Sequence, residues 1–171
     1  MHFVFMGVSG SGKTTVAEHV AQRLELPFAE ADLFHPEANI GKMSAGTPLT
    51  DEDRRPWLRE LASWIGEHDA LGETTVMACS ALKREYRDLL REGAPDVHFL
   101  HMHGPAEVIW ERIEARPDHF MPPALLRSQL ETLERLDPDE AGREFDVRAD
   151  LETLNGGALL YVEDHIRPAV P

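Results

Sequence analysis

Gly7-Val8-Ser9-Gly10-Ser11-Gly12-Lys13-Thr14 is the stretch of this 171-residue chain whose residue types and spacing could do chemistry unaided. It fits G-x-x-x-x-G-K-[ST] at every fixed position. Glycine at 7, 10 and 12 lets successive backbone N–H groups turn inward on phosphate oxygens without a Cβ in the way. Ser9, Ser11 and Thr15 stand among those donors, Lys13 can reach β- and γ-phosphates, and the Thr14 hydroxyl suits Mg²⁺. The chemistry so specified is the holding of a nucleoside triphosphate.

Such a loop has to be positioned by a strand before it and a helix after it. His2-Phe3-Val4-Phe5-Met6 reads as a short buried strand. Thr14 to Glu25 spaces Val16, Val20 and Leu24 four apart beside Ala17 and Ala21, which predicts an amphipathic helix with its positive end on the phosphates. Leu26 to Asp32 reads as a second strand, with Glu30 and Asp32 two residues apart on one side at its C-terminal end. Open parallel sheets bind ligands beyond the carboxyl ends of their strands, so both acids are candidates for a site next to the loop.

Further along, residues 34–53 form a polar segment with little periodicity, suited to folding over an acceptor pocket. Pro56 cannot donate inside a helix, which predicts a turn over 51–55 and a main helix from Pro56 bearing Leu58, Leu61, Ala62 and Ile65 as its buried stripe. Thr74 to Cys79 predicts a central strand, and Ser80 to Arg84 is expected to run straight into a helix. Val97 to His103 predicts a fourth strand. His101 and His103 share a face of it as ordinary edge or loop-facing histidines, because no third metal ligand stands at useful spacing.

Pro105 opens a helix with Ala106, Ile109, Trp110 and Ile113 as its buried face, ending at Arg116-Pro117. Pro122-Pro123 opens the next, and Arg112 and Arg116 fall four apart at the entrance to the segment between them. Phe145 to Arg148 predicts the fifth strand, and Leu151 to Ile166 a docking helix despite Gly156 and Gly157.

Composition narrows the setting. The length suits a single domain over 1–171 with a full core, and the lone Cys79 excludes an internal disulfide and reads as a small buried residue. Lys plus Arg number 17 against 31 Asp plus Glu, a formal charge of −14 that argues against non-specific nucleic-acid binding. The sequence shows no signal segment and no apolar run of membrane-spanning length, so a reduced cytoplasm is expected and no membrane partner.

Several segments together resemble one family closely. They are the loop Gly7 to Thr14, Asp32-Leu33-Phe34-His35-Pro36, the run Pro48 to Leu58, Cys79-Ser80-Ala81-Leu82-Lys83, Tyr86-Arg87-Asp88, His119-Phe120-Met121-Pro122, and Gln129 with Glu131 to Glu134. These look like the gluconokinase family, with the match running from residue 3 to about residue 150. The resemblance implies an α/β P-loop kinase of the shikimate-kinase and adenylate-kinase-like group, built on a parallel five-stranded sheet with helices on both faces. It also implies a small mobile lid at about 116–123, an acceptor-binding segment at about 34–58, ATP-dependent phosphorylation of D-gluconate, and a homodimer.

Combined with the resemblance, the residues suggest roles. Glu30 would hold a water of the Mg²⁺ bound to Thr14, in a place where relatives commonly carry Asp. Asp32 is the candidate to orient or deprotonate the sugar-acid hydroxyl, and Arg112 and Arg116 to neutralise charge as the lid closes. Arg54 and Lys83 are the candidate carboxylate or polyol clamps, with His35, Ser80, Arg87 and Gln129 as further candidates. Two rivals stay open: a kinase for another small hydroxylated metabolite, shikimate-like or a nucleoside monophosphate, and a non-catalytic ATP-binding switch.

Overall fold

Uninterrupted apolar runs in a chain that alternates strand and helix call for a sheet covered on both faces. The computed structural model describes residues 1–115 and 123–166, and it builds that sheet from five parallel strands. They are β1 (His2–Met6), β2 (Phe28–Glu30), β3 (Thr75–Cys79), β4 (Val97–His103) and β5 (Gly142–Asp146), in the order β2-β3-β1-β4-β5. Every residue of β1 and β3 is buried, as central strands require. Helices are α1 (Lys13–Leu24), α2 (Glu37–Ser44), α3 (Asp51–Ala70), α4 (Arg84–Arg91), α5 (Ala106–Glu114), α6 (Pro123–Thr132) and α7 (Leu151–Ile166).

Connections from β1 to β2 and from β3 to β4 step in opposite directions along the sheet, so right-handed crossovers put their helices on opposite faces. α1 and α7 pack together on one side and α3 and α4 on the other. The C-terminal helix forms over the range expected, with Leu154, Ala158 and Val162 buried, and Gly157 leaves just enough room for the Phe145 ring.

Several expectations are corrected. α3 begins at Asp51, not Pro56, because Thr50 and Asp53 form a reciprocal capping box: Asp53 N donates to Thr50 Oγ1 at 3.2 Å and Thr50 N to Asp53 Oδ2 at 2.9 Å. Pro56 then costs one ladder bond on an exposed face, where water can serve the Glu52 carbonyl. β2 ends at Glu30, since Trp57 Nε1 donates to the Ala31 carbonyl at 2.7 Å and the chain turns through a 3-10 segment, Ala31–Phe34. Asp32 therefore sits on that turn. α2, not foreseen in the 34–53 segment, is pinned by tertiary bonds: Lys42 Nζ to Asp53 at 2.6 Å and Asn39 Nδ2 to the Asp53 carbonyl at 2.9 Å.

Ser80 to Lys83 is a loop, with Leu82 N bonded to the Ser80 carbonyl at 2.9 Å, and α4 starts only at Arg84. β5 starts at Gly142, whose missing Cβ admits the Phe99 carbonyl, and ends before Arg148. In α5, Ile109 and Ile113 are buried, whereas Ala106 is exposed and Trp110 half-buried. His101 is no edge histidine: β4 is interior, the ring is fully buried against Glu144 at 3.3 Å, and burial pushes its pKa down to about 4.

Candidate active site

Backbone conformations at the loop are ones only glycine holds cheaply. Gly10 (φ 80°) and Gly12 (φ 87°) are left-handed, and a Cβ at Gly10 would run into the Ile113 side chain. Gly12 caps α1, so Lys13 is its first residue, 8% exposed and without a hydrogen-bond or ion-pair partner among the described residues. A little-exposed ammonium in that condition, lining a cavity, is suited to receive an anion. Two loop amides are engaged already: Ser11 N with the Val8 carbonyl at 3.2 Å, and Ser9 N with Gln129 Oε1 at 2.7 Å.

A cavity of about 230 Å³ opens here, lined by Ser9, Gly10, Gly12, Lys13, Thr14, Thr15, Glu30 and Asp32. Thr14 Oγ1 donates to Glu30 Oε2 at 2.7 Å, while Glu30 Oε1 is buried with no hydrogen-bond partner. Burial pushes the Glu30 carboxyl above its usual range and neighbouring Asp32 adds to this, with the Thr14 bond opposing. A hydroxyl beside a carboxylate with a spare, desolvated oxygen is the donor chemistry a small hard cation takes, so these residues fit Mg²⁺.

Across the cavity, Asp32 keeps its side chain 63% exposed, with His35 Nε2 at 4.0 Å. His35 itself is buried, its ring stacked on Trp57 at 4.2 Å between centroids. Burial lowers the His35 pKa and Arg54 adds to that, while Asp32 opposes, so the imidazole is neutral near pH 7. Arg54 in α3 is 8% exposed, has the Tyr86 ring 5.7 Å from its guanidinium carbon, and its side chain makes no hydrogen bond or ion pair among the described residues. Beneath the site, burial raises the Cys79 pKa, with Asp32 and Glu30 adding to the rise and Lys13 and Arg54 opposing it. Those four charges converge on the end of β3.

Not every predicted residue joins this cluster. Lys83 Nζ is held by both oxygens of Asp51 at 2.8 Å, and Tyr86 Oη donates to the same carboxylate. Arg87 is fully buried and bidentate to Glu140, Nε to Oε1 at 2.7 Å and Nη2 to Oε2 at 2.6 Å, and lies outside the cavity lining. Gln129 faces the loop amide of Ser9 and not an acceptor pocket. Ser80 is buried at the end of β3 and is not part of the lining. Gly7 and Ser11 are packed beneath the loop: a Cβ at Gly7 would lie 2.7 Å from Ser11 Oγ. Arg112 donates to the Val147 carbonyl and lies over Gly12, its Nη1 3.8 Å from where a Cβ would stand. Arg116 and positions 117–122 of the expected lid lie outside the described residues.

Asn39 and Asp51 were missed by sequence reasoning. The first stands four residues after His35 at the start of a helix, and the second opens a capped acidic turn; both signals were present. A larger cavity, about 500 Å³ between α5 and α6, is lined by Trp110, Leu126, Leu130 and neighbours. It holds none of the phosphate-loop groups, so the smaller one is the candidate site.

Comparison with known proteins shows the family. The family model described as Shikimate kinase matches residues 9–143. The Thermosensitive gluconokinase of Escherichia coli (strain K12) is 51% identical over 138 residues, covering 81% of this chain and 74% of that protein. Among solved structures, a sugar kinase from Janibacter sp. HTCC2649 in its unliganded form superposes with a TM-score of 0.91 at 57% identity, over 95% of this chain and 94% of the other. A gluconokinase from Sinorhizobium meliloti 1021 superposes with a TM-score of 0.85 at 47% identity, over 96% and 92%.

Proposed function

The chain belongs to the gluconokinases, within the family described as Shikimate kinase, and on that premise we propose that it transfers the γ-phosphoryl group of ATP to D-gluconate, giving 6-phospho-D-gluconate and ADP. It is an ATP-dependent phosphotransferase with an alcohol as acceptor.

One observation carries the reading at the level of residues: Lys13, Thr14, Glu30 and Asp32 line a single cavity, with the unpaired Arg54 electrostatically coupled to His35, the neighbour of Asp32. Loop amides and Lys13 bind the β- and γ-phosphates, and Thr14 with Glu30, through a water, would hold Mg²⁺. Bound there, the ion neutralises phosphate charge. Asp32 orients the primary hydroxyl of gluconate and accepts its proton as that oxygen bonds to the γ-phosphorus and the bond to ADP breaks. Arg54 pairs with the sugar-acid carboxylate, the partner its burial requires and the described residues do not supply. Lys83, neutralised by Asp51, is left to hydrogen-bond hydroxyls. Arg112 and, from the lid at 116–123, Arg116 act on the transferring phosphate. The net charge of −14 favours a small-molecule acceptor over nucleic acid, the lone cysteine suits a reduced cytoplasm, and family resemblance favours a homodimer.

The test is ADP release with ATP, Mg²⁺ and a panel of gluconate, related sugar acids, shikimate and nucleoside monophosphates. Stimulation by gluconate far above the others is expected. Greater stimulation by another acceptor would reassign the substrate, and none by any acceptor would favour the switch. Lys13→Ala and Asp32→Asn are each expected to lower kcat by about a hundredfold or more, the latter with nucleotide still bound.

A further inference from the structure

Asp32 is exposed and has rotational freedom, yet the role given to it above demands one orientation. The group beside it has none of that freedom. His35 has a side chain only 2% exposed, too enclosed to touch substrate, and its ring lies at 17° to the buried Trp57. Trp57 is anchored in turn to the Ala31 carbonyl, one residue before Asp32. The turn that carries Asp32 and the ring that faces it are thus fixed by one side chain.

The tautomer of that ring follows from its other neighbour. Asn39 donates one amide hydrogen from Nδ2 to the Asp53 carbonyl at 2.9 Å, which identifies that atom as the nitrogen. Its second hydrogen points at His35 Nδ1, 3.3 Å away, so Nδ1 is the acceptor and the neutral ring carries its proton on Nε2. Nε2 stands 4.0 Å from Asp32 Oδ1, longer than a hydrogen bond, so a bond between them requires the exposed carboxylate to move towards the ring. No described side chain lies within hydrogen-bond distance of that carboxylate, and the His35 ring is its charged-pair neighbour.

We propose that His35 is a positioning residue for Asp32, its Nε2–H made the donor by Asn39 and steering one carboxylate oxygen so that the other meets the acceptor hydroxyl. The inference rests on the assignment of Asp32 to that hydroxyl. A neutral donor suits the task because it orients the carboxylate without the full charge that would weaken it as a proton acceptor.

The test compares His35→Gln with His35→Asn. A glutamine amide reaches the place of Nε2, whereas an asparagine amide reaches only that of Nδ1, and the two changes disturb the Trp57 stack alike. His35→Gln is expected to keep kcat for gluconate about tenfold or more above His35→Asn, with equal KM for ATP and equal melting temperatures. In an Asp32→Asn background, followed by single-turnover phosphoryl transfer, the difference should vanish, because His35 acts only through that carboxylate. Equal kcat for the two variants, or an undiminished difference in the Asp32→Asn background, would overturn the role of His35 alone. Full turnover in Asp32→Asn itself would overturn the Asp32 assignment and this inference with it. Should neither position-35 variant fold, Asn39→Asp reverses the tautomer by placing an acceptor at Nδ1; an unchanged kcat there would refute the proposal, and a fall of about tenfold would support it.

Discussion

Arg54 in α3 and Arg87 in α4 stand on two helices packed against each other, and both are buried, but their surroundings are opposites. Arg87 is saturated. Its guanidinium grips Glu140 with two parallel bonds and donates further to the carbonyls of Glu134 and Arg135, while Arg91 reaches Glu140 Oε1 at 2.7 Å. Arg54 has only the face of Tyr86 and the charges of more distant groups. Desolvating a guanidinium is costly, and α4 recovers that cost inside the chain, whereas the role proposed for Arg54 has it recovered by the acceptor's carboxylate. Burial alone does not separate these two arginines; their inventories of partners do.

Substitutions at the two positions should therefore fail in different ways. Arg87→Met removes the two parallel bonds to buried Glu140 and leaves it Arg91 and the Asp137 amide as partners, and is expected to lower unfolding free energy by about 1.5–3 kcal/mol in a urea titration, with the KM for gluconate of the surviving folded enzyme unchanged. A raised KM without loss of stability would erase the contrast. Arg54→Met should do the reverse, raising the KM for gluconate about 30-fold or more, with ATP affinity held and denaturation midpoints little moved. A stability loss as large as that of Arg87→Met would make Arg54 structural.

Acid sharpens the same difference. Burial works to raise the Glu140 carboxyl, but bonds from Arg87 and Arg91 outweigh it and hold the pKa down at about 2 against an ordinary 4.5. With the folded value depressed, the stabilisation is complete above pH 4.5 and is lost as pH falls from there towards 2, where the unfolded chain binds the proton first. Urea titrations across that window should show a shallower acid slope in Glu140→Gln than in the unaltered chain. Glu144, held down to about 2 by Arg135 with His101 assisting, keeps part of the slope in place. The smallest effect concerns the element that carries Arg54: Thr50→Ala removes one cap acceptor and should cost about 1 kcal/mol, read by thermal melting, without altering kcat.

The phosphate loop could be read from sequence to the residue because its chemistry is local: glycine, lysine and hydroxyl positions are set by backbone geometry within eight consecutive residues. The central strands β1, β3 and β4 were legible for the same reason, as runs such as Phe3 to Met6 state their burial in composition. What escaped depended on distant partners. Trp57 stops β2 at Glu30 by taking the Ala31 carbonyl from a position 26 residues away, and α2 exists through the bonds of Asn39 and Lys42 to Asp53. Pro56 misled because a proline's local penalty was weighed without the cap that offsets it. Arg87 looked like Arg54 because Glu140, 53 residues on, is invisible from the motif around it.

Cys79 ends β3 directly under the charged cluster, with no exposed surface and a thiol whose pKa burial drives far upward. Reagents that consume thiolates can reach it only when that central strand parts from its neighbours. Alkylation kinetics of the unmodified chain consequently measure how often the floor of the candidate site opens, and saturating nucleotide should slow them in proportion to the stability it adds.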